Sequence, residues 1–483
     1  MPDRRTLHAI GFFLGFVALG SLLFMVPMTP IVLLCLVAAG ILLARPSARR
    51  LAVIGLVLVP TSGFLAALSS SHNAMQLGQA IESGSLANQI SGTALFAVGI
   101  FFVVGRRRRI GELNLLPWVG AFLAFAFASC LWSASAALTL RRATEALFVT
   151  IFALGVATNY YGRKADGAVE LIRTICWTSS LLAFAVLSLS IVRGDFHIAD
   201  PAWRLGRVGI ENQIAWCASV GLMAAWATRA RKDIWPGKRA LWFNLVIPVL
   251  VVLLTKSRET WLGVLAGFLV LEFLKPRALK MKIAGVIAIA GLVAIFAVAP
   301  PLQQMWQRGA SEEDMQTASG RTQIWQQAMP LIRSHLLLGN GYGAFWTSRT
   351  VLVFSGDWNP TSLHNGYLDS VAEAGLIGLF LIVMGVCVSL TNAWKLMKYP
   401  GENEIGLALL ALTVNFMVIN LFGSVLEVFN YFPVTVMLIF SFFVCHRIEV
   451  WAGSNAREQG SFVPVATAAG QSQVYGWTRS PSL

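Results

Sequence analysis

The sequence predicts an all-α polytopic membrane protein of about 12–14 transmembrane helices, with one long periplasmic loop before the last three helices. Three observations carry that fold class. Of 483 residues, 56% are hydrophobic and 12% are charged, about half the charged share of an ordinary soluble domain. Apolar runs approaching the ~20 residues needed to cross a bilayer recur along the whole chain. Lys and Arg gather in alternate short connections, the pattern that marks the cytoplasmic side of a membrane protein.

Taken in order, the apolar runs cover 7–26, 28–44, 51–68, 90–104, 116–132, 138–159, 174–192, 213–227, 241–255, 261–274, 283–298, 376–390, 405–422 and 433–450. Some are shorter than ~17 residues, so broken or tilted spans bring the lower bound to about twelve. In the first run, Phe24-Met25-Val26-Pro27 offers no small-residue cleavage site, and the run is expected to remain as a span. Residues 1–450 read as a single integral membrane domain that includes a loop over 300–363. Residues 451–483, rich in Gly, Ser, Ala and Gln, read as a disordered cytoplasmic tail. Cys35, Cys130, Cys176, Cys217, Cys387 and Cys445 all fall inside spans, which excludes a disulfide framework or a zinc site as the organising feature.

The positive-inside rule orients these spans. Arg4 and Arg5 start inside, and Arg45, the run Arg106 to Arg109, Arg163, Arg229, Lys275 and Lys395 then follow on the same side. The net charge of +14 therefore collects on the cytoplasmic face, where it acts as a topogenic signal. No nucleic-acid partner is implied. The basic residues that break the rule are Arg141, Arg142, Arg193, Arg204, Arg207, Lys256, Arg258, Arg308, Arg321, Arg333 and Arg349. Loop solvation explains a share of them. All but one are arginine, however, the side chain whose planar fork suits bidentate recognition of phosphate.

The loop over 300–363 is too long for a simple connection, and such loops are often functional. Ser319-Gly320-Arg321 opens an amphipathic helix with Ile324, Ala328, Leu331 and Ile332 on one face and a kink expected at Pro330. Gly339-Asn340-Gly341-Tyr342-Gly343 then forces a turn. With no strand before it, this glycine pattern is a structural turn and not a nucleotide-binding fingerprint. A second outer segment, 193–212, sets aromatic residues beside arginines.

Two short stretches are placed to carry chemistry. His364, in Leu363-His364-Asn365-Gly366-Tyr367, lies where the long loop re-enters the membrane, and a neutral imidazole there can take a proton from a sugar hydroxyl. The bland alternative is a hydrogen-bonded structural histidine. Lys256-Ser257-Arg258-Glu259 sits at the outer end of two spans, where ionisable groups are costly and usually functional. Its bland alternative is snorkelling to the interface. Glu312-Glu313-Asp314 reads as a solvated cluster, so no metal and no cofactor are expected.

These residues resemble the O-antigen ligase and O-antigen polymerase superfamily. His364-Asn365 followed by Gly375-Leu376-Ile377-Gly378 is similar to its signature, and Arg258-x-x-x-Leu262 to its second motif. The stretch from Ser319-Gly320-Arg321 to Gly343 looks like its long periplasmic loop. Trp132-Ser133 with Leu140-Arg141-Arg142 resembles its exopolysaccharide-polymerase branch. The likeness covers roughly 130–440.

The resemblance implies a metal-independent, inverting glycosyltransferase at the periplasmic face of the bacterial inner membrane. Its donor would be an undecaprenyl-diphosphate-linked glycan. Its acceptor would be another lipid-linked glycan, lipid A core or a protein serine. Other polysaccharide-assembly proteins would be its partners. Under that reading His364 is the base and Arg258 a catalytic cation. Arg204, Arg207, Arg321 and Asn365 bind substrate. A lipid-linked glycan flippase or transporter is the alternative from another class. It would need charges along a central pathway, where Glu145 is the clearest mid-span acid. A non-catalytic assembly scaffold would leave His364 dispensable.

Overall fold

The computed structural model describes residues 55–56, 86–104, 113–161, 166–194, 196–197, 200, 203–206, 211–275, 321–347, 350, 354, 361–426 and 432–460. Every regular element among the described residues is helical, as expected of an all-α membrane protein. The helices are α1 (Leu86–Val104), α2 (Leu116–Ala128), α3 (Ala136–Tyr161), α4 (Asp166–Val192), α5 (Glu211–Ala227) and α6 (Lys238–Leu254). They are followed by α7 (Arg258–Leu274), α8 (Arg321–Ser334), α9 (Gly366–Leu396), α10 (Asn403–Ile419) and α11 (Phe432–Gly460). Among the described residues, three stretches are both long and apolar enough to cross a bilayer: Gly167–Val192, Gly366–Leu396 and Phe432–Trp451. The runs expected over 7–26, 28–44 and 283–298 lie outside the described residues, as do almost all of 51–68 and the acidic cluster Glu312-Glu313-Asp314.

Helix ends fall within a few residues of the apolar runs, with two instructive differences. The run 376–390 is only the second part of α9, which begins ten residues earlier at Gly366. Its first turns carry Asp369, Ser370 and Glu373, which look like loop residues in the sequence yet are buried. The final helix also passes the run's end and continues to Gly460. Pro330 lies inside α8, which continues to Ser334. On that helix Ile324, Ala328 and Ile332 are buried as their spacing predicts, whereas Leu331 is exposed.

Packing rather than water-driven burial holds helices together in lipid, so small residues mark the closest approaches. The pair Gly263 and Gly267 of α7 lies on α10. A Cβ on Gly263 would come 2.7 Å from Asn415 Oδ1, and one on Gly267 would come 2.7 Å from Met223 Sδ of α5. Buried polar side chains pair across helices: Tyr160 Oη with Thr174 Oγ1 at 2.9 Å and Asn415 Nδ2 to Ser219 Oγ at 3.1 Å, while buried Asn392 of α9 donates to Asn114 Oδ1 of the turn before α2 at 2.8 Å.

The connections sort into two ends. At one end Arg229 bonds Glu272 at 2.9 Å, Arg231 Nη1 donates to Gly401 O at 2.9 Å, and Arg447 pairs with Glu402. These join the connections expected to be cytoplasmic. The opposite end gathers 203–206, the α6–α7 turn, the start of α8, the segment before α9 and the loop after α10.

Candidate functional site

The site is built at that second end, from a turn with almost no loop. α6 stops at Leu254 and α7 starts at Arg258. Lys256 takes a left-handed conformation (φ +49°) to close the turn, and its Nζ donates to Asp200 O at 3.2 Å. The outer segment is laid on the same tip: Leu205 N donates to Leu254 O at 3.0 Å, and Arg204 Nε to Thr255 O at 2.8 Å. Arg204 also reaches Asn212 Oδ1 at 2.7 Å and Glu211 at 3.8 Å.

Arg321, the first residue of α8, arrives from the long loop. Its Nη2 lies 3.7 Å from Glu259 Oε2. Glu259 is buried and its other oxygen lacks a hydrogen-bond partner. The carboxylate is therefore a fixed counter-charge for Arg321 and not a side chain snorkelling to the interface. Burial pulls the Arg321 guanidinium below its ordinary value, with Glu259 opposing the shift. Arg258 feels the charges of both Arg321 and Arg204. Three arginines from three separate stretches of chain thus face one region, with a single buried carboxylate between them.

His364 completes the group. Burial, and secondarily the charge of Arg321, holds its imidazole down at about 4, so the ring is neutral at pH 7 and able to accept a proton. The ring is held by an unusual backbone: His364 sits at φ +50°, a region costly for a residue with a Cβ. Its neighbours enforce that geometry. Asp369 accepts from Leu363 N at 2.8 Å and from Ser424 Oγ and Trp346 Nε1. Gly366 N donates to Asn420 O at 2.9 Å and Gly423 O at 2.8 Å. Asn365 caps α9, its Oδ1 accepting from Tyr367 N and Leu368 N at 3.1 Å each, while Nδ2 donates to Leu421 O.

Of the residues singled out from sequence, Arg204, Arg258, Arg321 and His364 come together and Asn365 adjoins them as a cap. Arg207 lies outside the described residues. Sequence reasoning missed Glu259 as a counter-ion and Asp369 as the anchor of the His364 segment. The signal for Asp369 was its place four residues after Asn365, on the first turn of a helix that the apolar pattern starts too late.

The glycine-rich turn has a separate, structural task. Gly339 and Gly375 both take φ near +70°, and each would drive a Cβ to 2.2 Å from backbone of the other segment. Asn340 N donates to Ala372 O at 3.0 Å, and Leu376 N to Leu336 O at 2.9 Å. Ala134 N donates to Asn340 O at 3.0 Å and Trp132 Nε1 to Leu338 O at 3.2 Å, which ties the Trp132-Ser133 stretch to the same knot. Glu373 accepts from Gly343 N at 3.2 Å.

Residues 243–383 match the O-Antigen ligase family, a segment that carries Arg258, Arg321, His364 and Asn365. The chain is 27% identical over 319 residues to the exopolysaccharide production protein ExoQ of Rhizobium meliloti (strain 1021), covering 61% of this chain and 69% of that protein. It is 25% identical over 313 residues to an O-antigen ligase of Pseudomonas aeruginosa, covering 63% and 72%. The matched domain and both relatives support a likeness to the O-antigen ligase/exopolysaccharide polymerase-like family and a function in membrane polysaccharide assembly.

Proposed function

We propose that the protein is a metal-independent, inverting glycosyltransferase that transfers or polymerises undecaprenyl-diphosphate-linked oligosaccharide at the periplasmic face of the bacterial inner membrane. The observation that carries the reading is the place of Arg321, whose charge reaches the neutral His364 on one side and Arg258 on the other, with Arg204 beside them. A diphosphate on a lipid is already a good leaving group and needs no acid. Guanidinium groups fixed before the substrate arrives stabilise the charge that builds on it, the kind of preorganisation that contributes most to catalysis.

The acceptor hydroxyl oxygen attacks the anomeric carbon as the bond from that carbon to the diphosphate oxygen breaks. The hydroxyl proton passes to an imidazole nitrogen of His364, and the electron pair leaves with the lipid diphosphate. One displacement inverts the configuration and forms no covalent enzyme intermediate. Asn365 and Asp369 act by holding the His364 backbone in place. Arg204 comes from the outer segment to extend the cationic surface, and Arg207, three residues on in the sequence, is assigned the same task. Similarity to an exopolysaccharide production protein favours a polymerase, with lipid-linked glycan as acceptor. Lipid A core as acceptor would make it a ligase.

The test is purified protein with an undecaprenyl-diphosphate-linked repeat unit, resolved by glycan length on a gel. Polymerase activity gives a ladder without further acceptor. Product only on addition of lipid A core identifies a ligase. Movement of lipid-linked glycan across liposomes with no new glycosidic bond would replace the reading with a flippase.

A further inference from the structure

We propose that Leu336-Leu337-Leu338, although not part of any helix, is inserted into the hydrocarbon edge of the bilayer and anchors α8 to the membrane. All three side chains are exposed, Leu337 most of all at 63%. Consecutive exposed leucines on a connection to water would be an unexplained liability. Their backbone shows where they lie. Leu336 O accepts from Leu376 N at 2.9 Å and Leu337 O from Ile377 N at 3.3 Å, so the segment runs alongside α9 in fixed register.

That stretch of α9 is part of a membrane-crossing helix, and its own Leu376, Ile377 and Phe380 are exposed. On a spanning helix such a surface faces lipid. The three leucines continue it at the same depth. Irregular backbone at membrane depth is tolerated where protein covers it, and here the carbonyls are turned onto the protein at the edge of the bilayer while the side chains face out. Leu338 O, the third, accepts from Trp132 Nε1 at 3.2 Å. On the N-terminal side Arg333, Ser334 and His335 are exposed, a polar step suited to the headgroup layer. The occupant of this surface is therefore bilayer acyl chain.

The consequence reaches the candidate site, and this clause alone rests on the proposed function. α8 carries Arg321 at its first residue. An anchor at its last turn keeps that guanidinium at headgroup depth, where the diphosphate of a lipid-linked donor resides.

The experiment reconstitutes the full-length protein in phosphatidylcholine liposomes containing a phospholipid with a diazirine on one acyl chain. After photolysis, adducts are mapped by mass spectrometry. The inference predicts adducts on Leu336–Leu338 at a yield comparable to those on Phe380. Labelled Phe380 with unlabelled leucines would overturn it. So would loss of the leucine adducts on adding undecaprenyl phosphate, which would assign the surface to the carrier chain instead. The labelling needs no turnover, so an inactive protein would sink the proposed function and leave this inference standing.

Discussion

His364 is held at φ +50°, a conformation that costs on the order of 1–3 kcal/mol for a residue with a side chain. The enforcing contacts are local and identifiable. Removing the Asp369 carboxylate leaves Leu363 N buried without a partner, a loss of about 1–3 kcal/mol, and frees the backbone one residue before the histidine. Asp369→Ala is expected to lower kcat with little change in KM, and Asp369→Asn to recover part of it, because an amide oxygen can still accept from Leu363 N. Equal rates in wild type and Asp369→Ala would show that the anchor is dispensable. The pH profile is a second check. With the imidazole down at about 4 in the free protein, kcat/KM should stay level through pH 6.5 and fall only as pH approaches 4, where the base becomes protonated. A bound diphosphate offsets the Arg321 charge and raises the imidazole, so kcat should begin to fall at a higher pH than kcat/KM. An inflection of kcat/KM near 6.5 would contradict the burial. The histidine itself was legible in the sequence, from its place at the re-entry of a long loop. Glu259 was not: a carboxylate beside an arginine at a helix start looks the same whether it faces water or, as here, the buried Arg321.

At the scale of elements, the apolar pattern located helices well but misplaced the openings of α4 and α9 and the end of α11. Runs of apolar residues report what faces lipid or core, so they gave the ends of α3 to α7 and α10 to within a few residues, α4 starting earlier. The opening of α9 escaped because its buried face is polar, with Asp369, Ser370 and Glu373 turned inwards. Nor could spacing alone show that Gly375 breaks that helix by pairing with Gly339. The pairing predicts a clear outcome. Gly375→Ala puts a Cβ at 2.2 Å from Leu337 O and at φ +67°, so it should destabilise the protein by about 1–3 kcal/mol. Thermal unfolding in detergent, followed by tryptophan fluorescence, reads this directly. Gly120→Ala, inside α2 with nothing within 4 Å of the added carbon, is the control that should leave the transition where it is or raise it slightly. Matching transitions for both variants would mean the knot contributes nothing to stability.

For the whole molecule, the charged connections among the described residues gather in two groups. Arg229, Arg231, Glu272 and Glu402 meet at one end, while Arg204, Arg258 and Arg321 meet at the other. The compartment each end faces follows from the positive-inside rule and is testable by fusion. Alkaline phosphatase joined after residue 345 should be active, and joined after residue 460 inactive; the reverse pattern would turn the molecule over and remove the periplasmic site. The central claim is that His364 as base and Arg258 as cation catalyse glycan transfer from a lipid diphosphate. The most direct measurement compares wild type, His364→Ala and Arg258→Ala, purified and given an undecaprenyl-diphosphate-linked repeat unit, by glycan length. The account predicts elongated glycan from wild type, with rates lower by about 10²–10⁴-fold without the base and about 10²–10³-fold without the arginine. Undiminished product from His364→Ala would contradict it.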